Sequence, residues 1–194
     1  MTKLALLRHG HTHWNRAGRI QGRSDIPLDD DARSELAAAR LPEPWDRAAL
    51  WSSPLLRASE TARLVSGHDP LTSEALTEMN WGDWEGLCGV DLIADPNSGY
   101  RHIEGWSWDF RPPNGESPAE VWTRLEPWLN GLSSDSIAVC HIGIIRVILA
   151  RAWGWEFAGP APFQIKRNRL YIVDMTTLTA LPDPVRLIRP ETTQ

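Results

Sequence analysis

The first predicted strand ends abruptly in a group of polar and cationic residues. Residues 4–7 form a short apolar run that predicts a buried strand. The run is followed at once by Arg8-His9-Gly10-His11-Thr12-His13-Trp14-Asn15. In open α/β sheets, ligands bind just outside the carboxyl ends of strands, which is where Arg8 and His9 stand. A guanidinium matches phosphate or carboxylate oxygens, and a histidine can act as nucleophile, base or metal ligand, so this junction predicts anion chemistry.

Two later strand-to-helix junctions repeat the arrangement. After a predicted strand at 48–51, Ser53 suits an N-cap and Pro54 the first helical position, which predicts a helix to Ser66. Arg57 then lies in the first turns, where the helix dipole already favours an anion. The other junction follows a predicted strand at 136–140, which ends at His141 before an apolar helix that runs to about residue 153. Two arginines and two histidines are therefore predicted at equivalent strand ends.

The remaining elements alternate between strand and helix. They are a helix from Asp29 or Asp30 to about 41, a strand at 71–73, a helix from the capping box at Ser117, and strands at 170–173 and 185–188. This alternation predicts an α/β sandwich with a mostly parallel sheet. The length of 194 residues favours a single domain over 1–194.

Composition narrows the classes of partner. The net charge of −5 argues against a general nucleic-acid binder. Cys88 and Cys140 match no metal or redox spacing. The longest apolar stretch, 142–150, is interrupted by Arg146 and is too short to span a bilayer, and the N-terminus lacks a signal-peptide pattern. We therefore expect a cytoplasmic protein without membrane or nucleic-acid partners.

An acidic, aromatic segment at 78–86 offers a general acid. Carboxylates between tryptophans can have a raised pKa, as an acid catalyst needs. The residues alone leave Glu78, Asp83 and Glu85 open. The following stretch, 96–115, has no periodicity and predicts a loop or lid, in which Trp106 and Trp108 either wall a pocket or cover the core.

Taken together, these blocks resemble the histidine phosphatase superfamily, which includes the cofactor-dependent phosphoglycerate mutases. The matching blocks are Leu7-Arg8-His9-Gly10-x-Thr12-x-Trp14-Asn15, Gln21-Gly22, Ser52-Ser53-Pro54-Leu55-x-Arg57-Ala58-x-Glu60-Thr61-Ala62, Glu78-x-x-x-Gly82-x-Trp84-Glu85-Gly86, Gly115-Glu116-Ser117 and His141-x-Gly143-x-Ile145-Arg146. They occur in family order and reach from residue 4 to about 170. The resemblance implies a three-layer α/β/α sandwich of the phosphoglycerate mutase type.

The resemblance also implies a role for each matching residue. His9 is the nucleophile that becomes phosphorylated, Glu78 is the proton donor, and three residues hold the phosphoryl oxygens: Arg8, Arg57 and His141. Asn15, Gln21, Gly22 and Ile142 match substrate-binding positions. Because cationic side chains can neutralise the transferred phosphoryl group, no metal and no cofactor is expected. The expected partner is a small phosphorylated substrate, and the oligomeric state is left open.

Two positions depart from the family pattern. The family commonly reads His-Gly-Gly after its last strand of this kind, whereas this chain has Ile142 at the first glycine position. If that position required a positive φ, a β-branched residue there would be costly. The usual Glu or Gln after Gly10 is replaced by His11.

The resemblance favours hydrolysis over isomerisation. The mutases carry longer insertions between the acid and the second histidine, whereas this chain has room for one modest lid, around 85–116. A more open site admits water, and the length is similar to that of the smaller phosphatases, including those that act on α-ribazole phosphate. We therefore predict a metal-independent phosphomonoesterase, with mutase-type phosphoryl transfer as the alternative.

Two further hypotheses come from other classes. His9-x-His11-x-His13 superficially offers alternating metal ligands, which would suit a metal-dependent hydrolase, although Gly10 and Thr12 indicate that the strand has ended. A non-catalytic protein that binds a phosphorylated ligand is the other, and Ile142 is its only support.

Overall fold

A central sheet of seven strands organises the computed structural model, which describes residues 2–189. The strands are β1 (Lys3–Arg8), β2 (Ala49–Ser52), β3 (Leu71–Thr72), β4 (Ser136–Cys140), β5 (Arg169–Asp174), β6 (Thr179–Ala180) and β7 (Val185–Arg186). The order is β3-β2-β4-β1-β5-β6, and β7 also pairs with β5. The first four strands of this order are parallel, whereas β5 runs antiparallel to β1, β6 and β7.

Helices cover both faces of the sheet. They are α1 (His13–Arg16), α2 (Asp30–Ala37), α3 (Leu56–Ser66), α4 (Gly89–Ala94), α5 (Pro118–Asn130) and α6 (Ile142–Trp153). In β1, Leu4 and Leu6 enter the core under α5 and α6, while Ala5 and Leu7 enter the core under α2 and α3. This alternation follows from the period of a strand and makes β1 buried on both sides. The predicted three-layer α/β/α sandwich is confirmed.

Helix α5 begins where the sequence predicts. At α5, the Ser117 hydroxyl accepts from the Glu120 N–H at 3.3 Å, and the Glu120 carboxylate accepts from the Ser117 N–H at 2.9 Å. This is the predicted capping box, with Pro118 at the first helical position. One face of α5 is apolar and packs into the core, where Val121 and Leu125 are fully buried.

The predicted start of α3 was wrong by two residues. The helix begins at Leu56 with Leu55 as the N-cap, whereas Ser53 accepts from the Leu55 N–H in a local turn. The cap comes from a distant loop, since Asp25 Oδ1 accepts from the Leu56 N–H at 2.8 Å. Arg57 still lies in the first turn, and the helix ends at Ser66 as predicted.

Other differences come from contacts with distant parts of the chain. Helix α2 is capped by Asp29 as predicted but ends at Ala37, because Arg40 exchanges two backbone hydrogen bonds with Ile188 at 2.8 and 2.9 Å. The short helices α1 and α4 were not predicted. No helix among residues 2–189 is long and apolar enough to cross a membrane.

The irregular segment 85–116 packs onto an aromatic cluster. Trp106 is buried and stacks on Phe110, with ring centroids 4.8 Å apart, and meets Trp81 edge-on at 5.4 Å. Trp108 is half-buried, and the Arg151 guanidinium lies 4.0 Å from its ring centroid. Trp106 therefore covers the core. That the segment acts as a lid stays a prediction.

Candidate active site

His9 is buried at the carboxyl end of β1, with 3% of its surface exposed. Its Nδ1 lies 2.6 Å from the Gly10 carbonyl oxygen. Because a carbonyl only accepts, Nδ1 carries the ring proton and Nε2 keeps its lone pair. Burial, followed by the charges of Arg57, Arg8 and Arg167, lowers the pKa of His9 well below 6.5. The geometry therefore provides a neutral imidazole with Nε2 as a nucleophile.

His141 lies beside His9, with the two ring centroids 5.1 Å apart. Arg57 donates from Nε to His141 Nδ1 at 3.2 Å. A guanidinium only donates, so Nδ1 of His141 holds the lone pair and Nε2 carries the proton. Burial, and then the charge of Arg57, lower the pKa of His141 well below 6.5. His141 is therefore a neutral hydrogen-bond donor.

Arg57 is fully buried on α3 and bonds both to His141 and to the loop after α1. Its Nη1 donates to the Ser24 carbonyl at 2.9 Å and its Nη2 to the Gly22 carbonyl at 2.6 Å. Burial lowers the pKa of Arg57 to about 10, so it stays charged at neutral pH. Of the five N–H donors of a guanidinium, the bond to His141 and these two occupy three, which leaves two for a ligand.

Glu85 supports this loop and is not a candidate acid. It accepts from the Arg23 N–H at 2.7 Å and from the Ser24 N–H and hydroxyl at 2.9 and 2.6 Å. Burial raises the pKa of Glu85, but the hydrogen bonds from Ser24, Arg23 and Trp81 together outweigh it, so its pKa lies below the usual value. Asp83 accepts from Asn114 at 2.9 Å. Of the three carboxylates left open by the sequence, Glu78 remains.

Glu78 is buried against the first turn of α6. Its Oε1 accepts from the Met79 N–H at 2.8 Å and its Oε2 from the Gly143 N–H at 3.2 Å. Burial raises the pKa of Glu78, opposed by these two N–H groups and then by the charges of Arg57 and Arg146. A carboxyl group with a raised pKa at the start of the helix that follows His141 suits a general acid.

Gly143 is the glycine that this contact requires. A Cβ at Gly143 would lie 2.4 Å from Glu78 Oε1, which is far inside van der Waals contact. Ile142 is the first residue of α6 and is not among the described residues with a positive φ. The steric cost considered for Ile142 therefore does not arise, and its part in substrate binding stays a prediction.

Unpaired buried donors are concentrated at this site. Five buried side-chain nitrogens in the described part of the chain have no hydrogen-bond partner: Arg8 Nε, Gln21 Nε2, His141 Nε2, Trp108 Nε1 and Trp128 Nε1. The first three belong to predicted site residues. Leaving a buried donor unpaired is costly, so these groups indicate a ligand rich in acceptor oxygens.

Asn15 and Gln21 are hydrogen-bonded to each other, and an arginine that was not predicted donates to Asn15. Asn15 Nδ2 donates to Gln21 Oε1 at 3.2 Å. Arg167, in the turn before β5, donates to Asn15 Oδ1 at 2.8 Å and to the His9 carbonyl at 3.1 Å. Burial lowers the pKa of Arg167 to about 9. The sequence signal was the basic run at 166–169, but its relevance depends on β5 lying antiparallel to β1.

Arg124 is a second residue that sequence reasoning missed. From α5 it donates to the carbonyls of Ala75 at 2.6 Å and Thr77 at 2.7 Å, and it pairs with Glu116 at 2.9 Å. These bonds fix the backbone that leads into Glu78. Its only signal in the sequence was a cation beside the apolar face of the predicted helix.

The three histidines of the opening motif point to different partners. His9 Nδ1 faces the Gly10 carbonyl, His11 Nε2 lies 3.0 Å from Arg167 Nη1, and His13 is exposed on α1. Within residues 2–189, no group of three or more His, Cys, Asp or Glu side chains is arranged to hold a metal ion.

Comparison with known proteins identifies the family of this chain. A model of the histidine phosphatase superfamily (branch 1) matches residues 4–179. The adenosylcobalamin/alpha-ribazole phosphatase of Salmonella typhimurium is 28% identical, with 89% of this chain and 90% of that protein covered. A 2,3-bisphosphoglycerate-dependent phosphoglycerate mutase of Gloeothece citriformis is 31% identical, over 71% and 76%. The crystal structure of a phosphoglycerate mutase from Thermus thermophilus superposes with a TM-score of 0.75, 31% identity and coverage of 96% and 99%. This chain therefore belongs to branch 1 of the histidine phosphatase superfamily.

Proposed function

We propose that this protein is a metal-independent phosphomonoesterase that acts on a small phosphorylated metabolite through a phosphohistidine at His9. One observation carries the proposal. Three buried nitrogen donors without partners, on Arg8, Gln21 and His141, belong to the same site as a neutral His9 whose Nε2 is free. A phosphoryl group supplies both the acceptor oxygens and the electrophile that such a site needs.

The binding roles follow from charge and hydrogen-bonding capacity. Arg8, Arg57 and the His141 Nε2–H hold the non-bridging oxygens. The two arginines also neutralise their charge, which is the main demand of phosphoryl transfer. Gln21 adds a neutral N–H donor. The Gly22 carbonyl is occupied by Arg57 Nη2, so Gly22 contributes by shaping the loop.

The reaction proceeds in two displacements. His9 Nε2 attacks phosphorus, the bond from phosphorus to the ester oxygen breaks, and the Glu78 carboxyl group gives its proton to the departing alkoxide. The Glu78 carboxylate then takes a proton from water, whose oxygen attacks phosphorus and breaks the bond to Nε2. Inorganic phosphate leaves, and both His9 and Glu78 regain their starting forms.

Hydrolysis is favoured over mutase-type transfer. Between Glu78 and α5 the chain has one irregular segment with the short helix α4. If this segment is the only cover of the site, water is expected to reach the phosphohistidine. The relative named as an alpha-ribazole phosphatase matches over 90% of its length, which supports α-ribazole phosphate or a similar ester as a substrate to test.

A panel of phosphomonoesters assayed in EDTA tests the proposal, with isomerisation of 3-phosphoglycerate measured alongside. We expect phosphate release without isomerisation, and its loss in His9→Ala. Efficient isomerisation would make the protein a mutase. Phosphate binding with no turnover of any ester would instead support a non-catalytic binding protein, and inhibition by EDTA would support a metal-dependent reaction.

A further inference from the structure

Arg167 contacts the catalytic loop at three points. It donates from Nε to the His9 carbonyl at 3.1 Å, from Nη1 to His11 Nε2 at 3.0 Å and from Nη2 to Asn15 Oδ1 at 2.8 Å. It comes from the turn before β5, on the far side of β1 from His141. One side chain therefore ties together the residues that follow β1.

The shortest bond to the Asn15 side chain comes from Arg167. Because a guanidinium only donates, Asn15 turns its oxygen towards Arg167, and its Nδ2 then faces Gln21 Oε1 at 3.2 Å. The Thr12 N–H donates to the same Asn15 oxygen at the longer distance of 3.3 Å, so Arg167 strengthens an orientation that the loop already favours. The Thr12 hydroxyl also donates to Gln21 Oε1, at 2.8 Å. With its oxygen held by two donors, Gln21 is left with a buried Nε2 that has no partner.

Gln21 is joined to the site through the next residue. The carbonyl of the following residue, Gly22, accepts from Arg57 Nη2 at 2.6 Å, and Arg57 in turn bonds His141. If both amides were reversed, Gln21 would present an oxygen to an anion. The resulting repulsion would replace a hydrogen bond to a charged ligand.

We propose that Arg167 is a positioning residue that fixes the orientation of the Asn15 and Gln21 amides, so that Gln21 presents an N–H donor to a phosphoryl oxygen. The inference rests on the proposed function, because the ligand is taken to be a phosphoryl group. It assigns Arg167 an effect on ligand affinity that a residue merely joining the loop to β5 would not have.

Calorimetric binding of inorganic phosphate to the intact protein tests the proposal. We expect Arg167→Met to weaken binding about 10- to 100-fold, the loss of one hydrogen bond to a charged group. Arg167→Lys, which still only donates, should recover part of the affinity. Arg169→Met is the matched control and should stay within about twofold, since Arg169 Nη1 bonds only the adjacent Asn168 carbonyl, at 3.0 Å.

A double-mutant cycle separates the effect of Arg167 on the orientation of the amides from the effect of its charge. In a Gln21→Met background there is no amide to orient, so Arg167→Met should then change phosphate affinity by less than about threefold. The same loss in both backgrounds would overturn the proposal, as would unchanged binding in Arg167→Met. If Arg167→Met does not fold, Arg167→Gln carries the same test, because glutamine can also accept and no longer dictates the orientation of Asn15.

Phosphate binding is measured without turnover, which keeps the two proposals distinguishable. A wild-type protein that binds phosphate but hydrolyses no ester contradicts the proposed function. The phosphate affinities of the double-mutant cycle can still be measured in that case. A protein that hydrolyses esters but shows no coupling between Arg167 and Gln21 contradicts only the inference about Arg167.

Discussion

His9 and His141 share a buried site, yet their hydrogen bonds leave opposite groups available to a ligand. His9 donates from Nδ1 to a carbonyl and keeps a lone pair on Nε2, whereas His141 accepts at Nδ1 from Arg57 and keeps a proton on Nε2. The first arrangement suits a nucleophile and the second an oxyanion donor. The partner of each Nδ1 therefore decides what the ring can do.

The pH dependence of kcat/KM follows from these environments. The pKa of His9 is lowered, so the free enzyme should keep a neutral nucleophile as the pH falls below 6.5. The pKa of Glu78 is raised, so its carboxyl group gives up its proton as the pH rises through that pKa. The hydrolysis of alkyl esters should then slow, because these esters need the acid. The ionisation of the substrate is measured separately and corrected for. After this correction, we predict that the acid limb of the kcat/KM profile lies well below pH 6.5. A limb at or above about 6.5 would contradict the buried, neutral His9.

Glu78→Gln should discriminate between leaving groups. Removal of the proton donor is expected to slow alkyl phosphates by roughly 10²–10⁴-fold and activated aryl phosphates far less, since a good leaving group needs little protonation. Steady-state rates on a matched alkyl and aryl pair measure this difference. An equal loss on both would show that Glu78 is not the acid.

At the scale of elements, the start of α6 positions the acid. The Gly143 N–H bonds Glu78, and there is no room for a Cβ at that point. We predict that Gly143→Ala displaces the carboxyl group and slows alkyl phosphates on the order of 10²-fold while the protein still folds. Gly131→Ala is the control, because a Cβ there would be 3.4 Å or more from its neighbours. Alkyl rates in Gly143→Ala that match the control would contradict this account.

Sequence signals were reliable where the structure depends on local bonds. The capping box of α5 and the end of α3 at Ser66 depend on residues within a few positions of each other, and both were predicted correctly. The start of α3 failed because its cap, Asp25, is 31 positions away along the chain. The end of α2 failed for the same kind of reason, since Arg40 pairs with Ile188.

The site residues that the sequence predicted and those that it missed differ in the same respect. Arg8, His9, Arg57 and His141 were placed together because each follows a strand or opens a helix at one edge of the sheet. Glu78 could not be separated from Asp83 and Glu85 without knowing which carboxylate is buried. Arg167 and Arg124 act through carbonyls and amides of distant segments, and such contacts leave no local pattern in the sequence.

At the scale of the whole molecule, burial of two neutral histidines ties stability to pH. In the unfolded chain His9 and His141 gain protons below about 6.5, whereas in the folded state their lowered pKa values keep them neutral. The unfolded state then binds more protons, so the free energy of unfolding falls as the pH drops.

A comparison of variants isolates this effect. Between pH 6.5 and 5, wild type should lose up to about 1.4 kcal/mol per pH unit more than His141→Gln, because the variant lacks one of the two histidines. Contributions from Glu78 and other carboxylates cancel in the difference. Urea unfolding across this range measures it, and parallel curves would contradict a neutral, buried His141.

Trapping of the phosphoenzyme shows whether His9 is the nucleophile. The enzyme would be mixed with an aryl phosphate in EDTA, quenched in alkali during turnover and digested for mass spectrometry. We expect an acid-labile phosphoryl group on His9, absent from His9→Gln, and a burst of phenol release as this group forms. Turnover at full rate with no phosphoryl group on His9, or undiminished activity of His9→Gln, would contradict it.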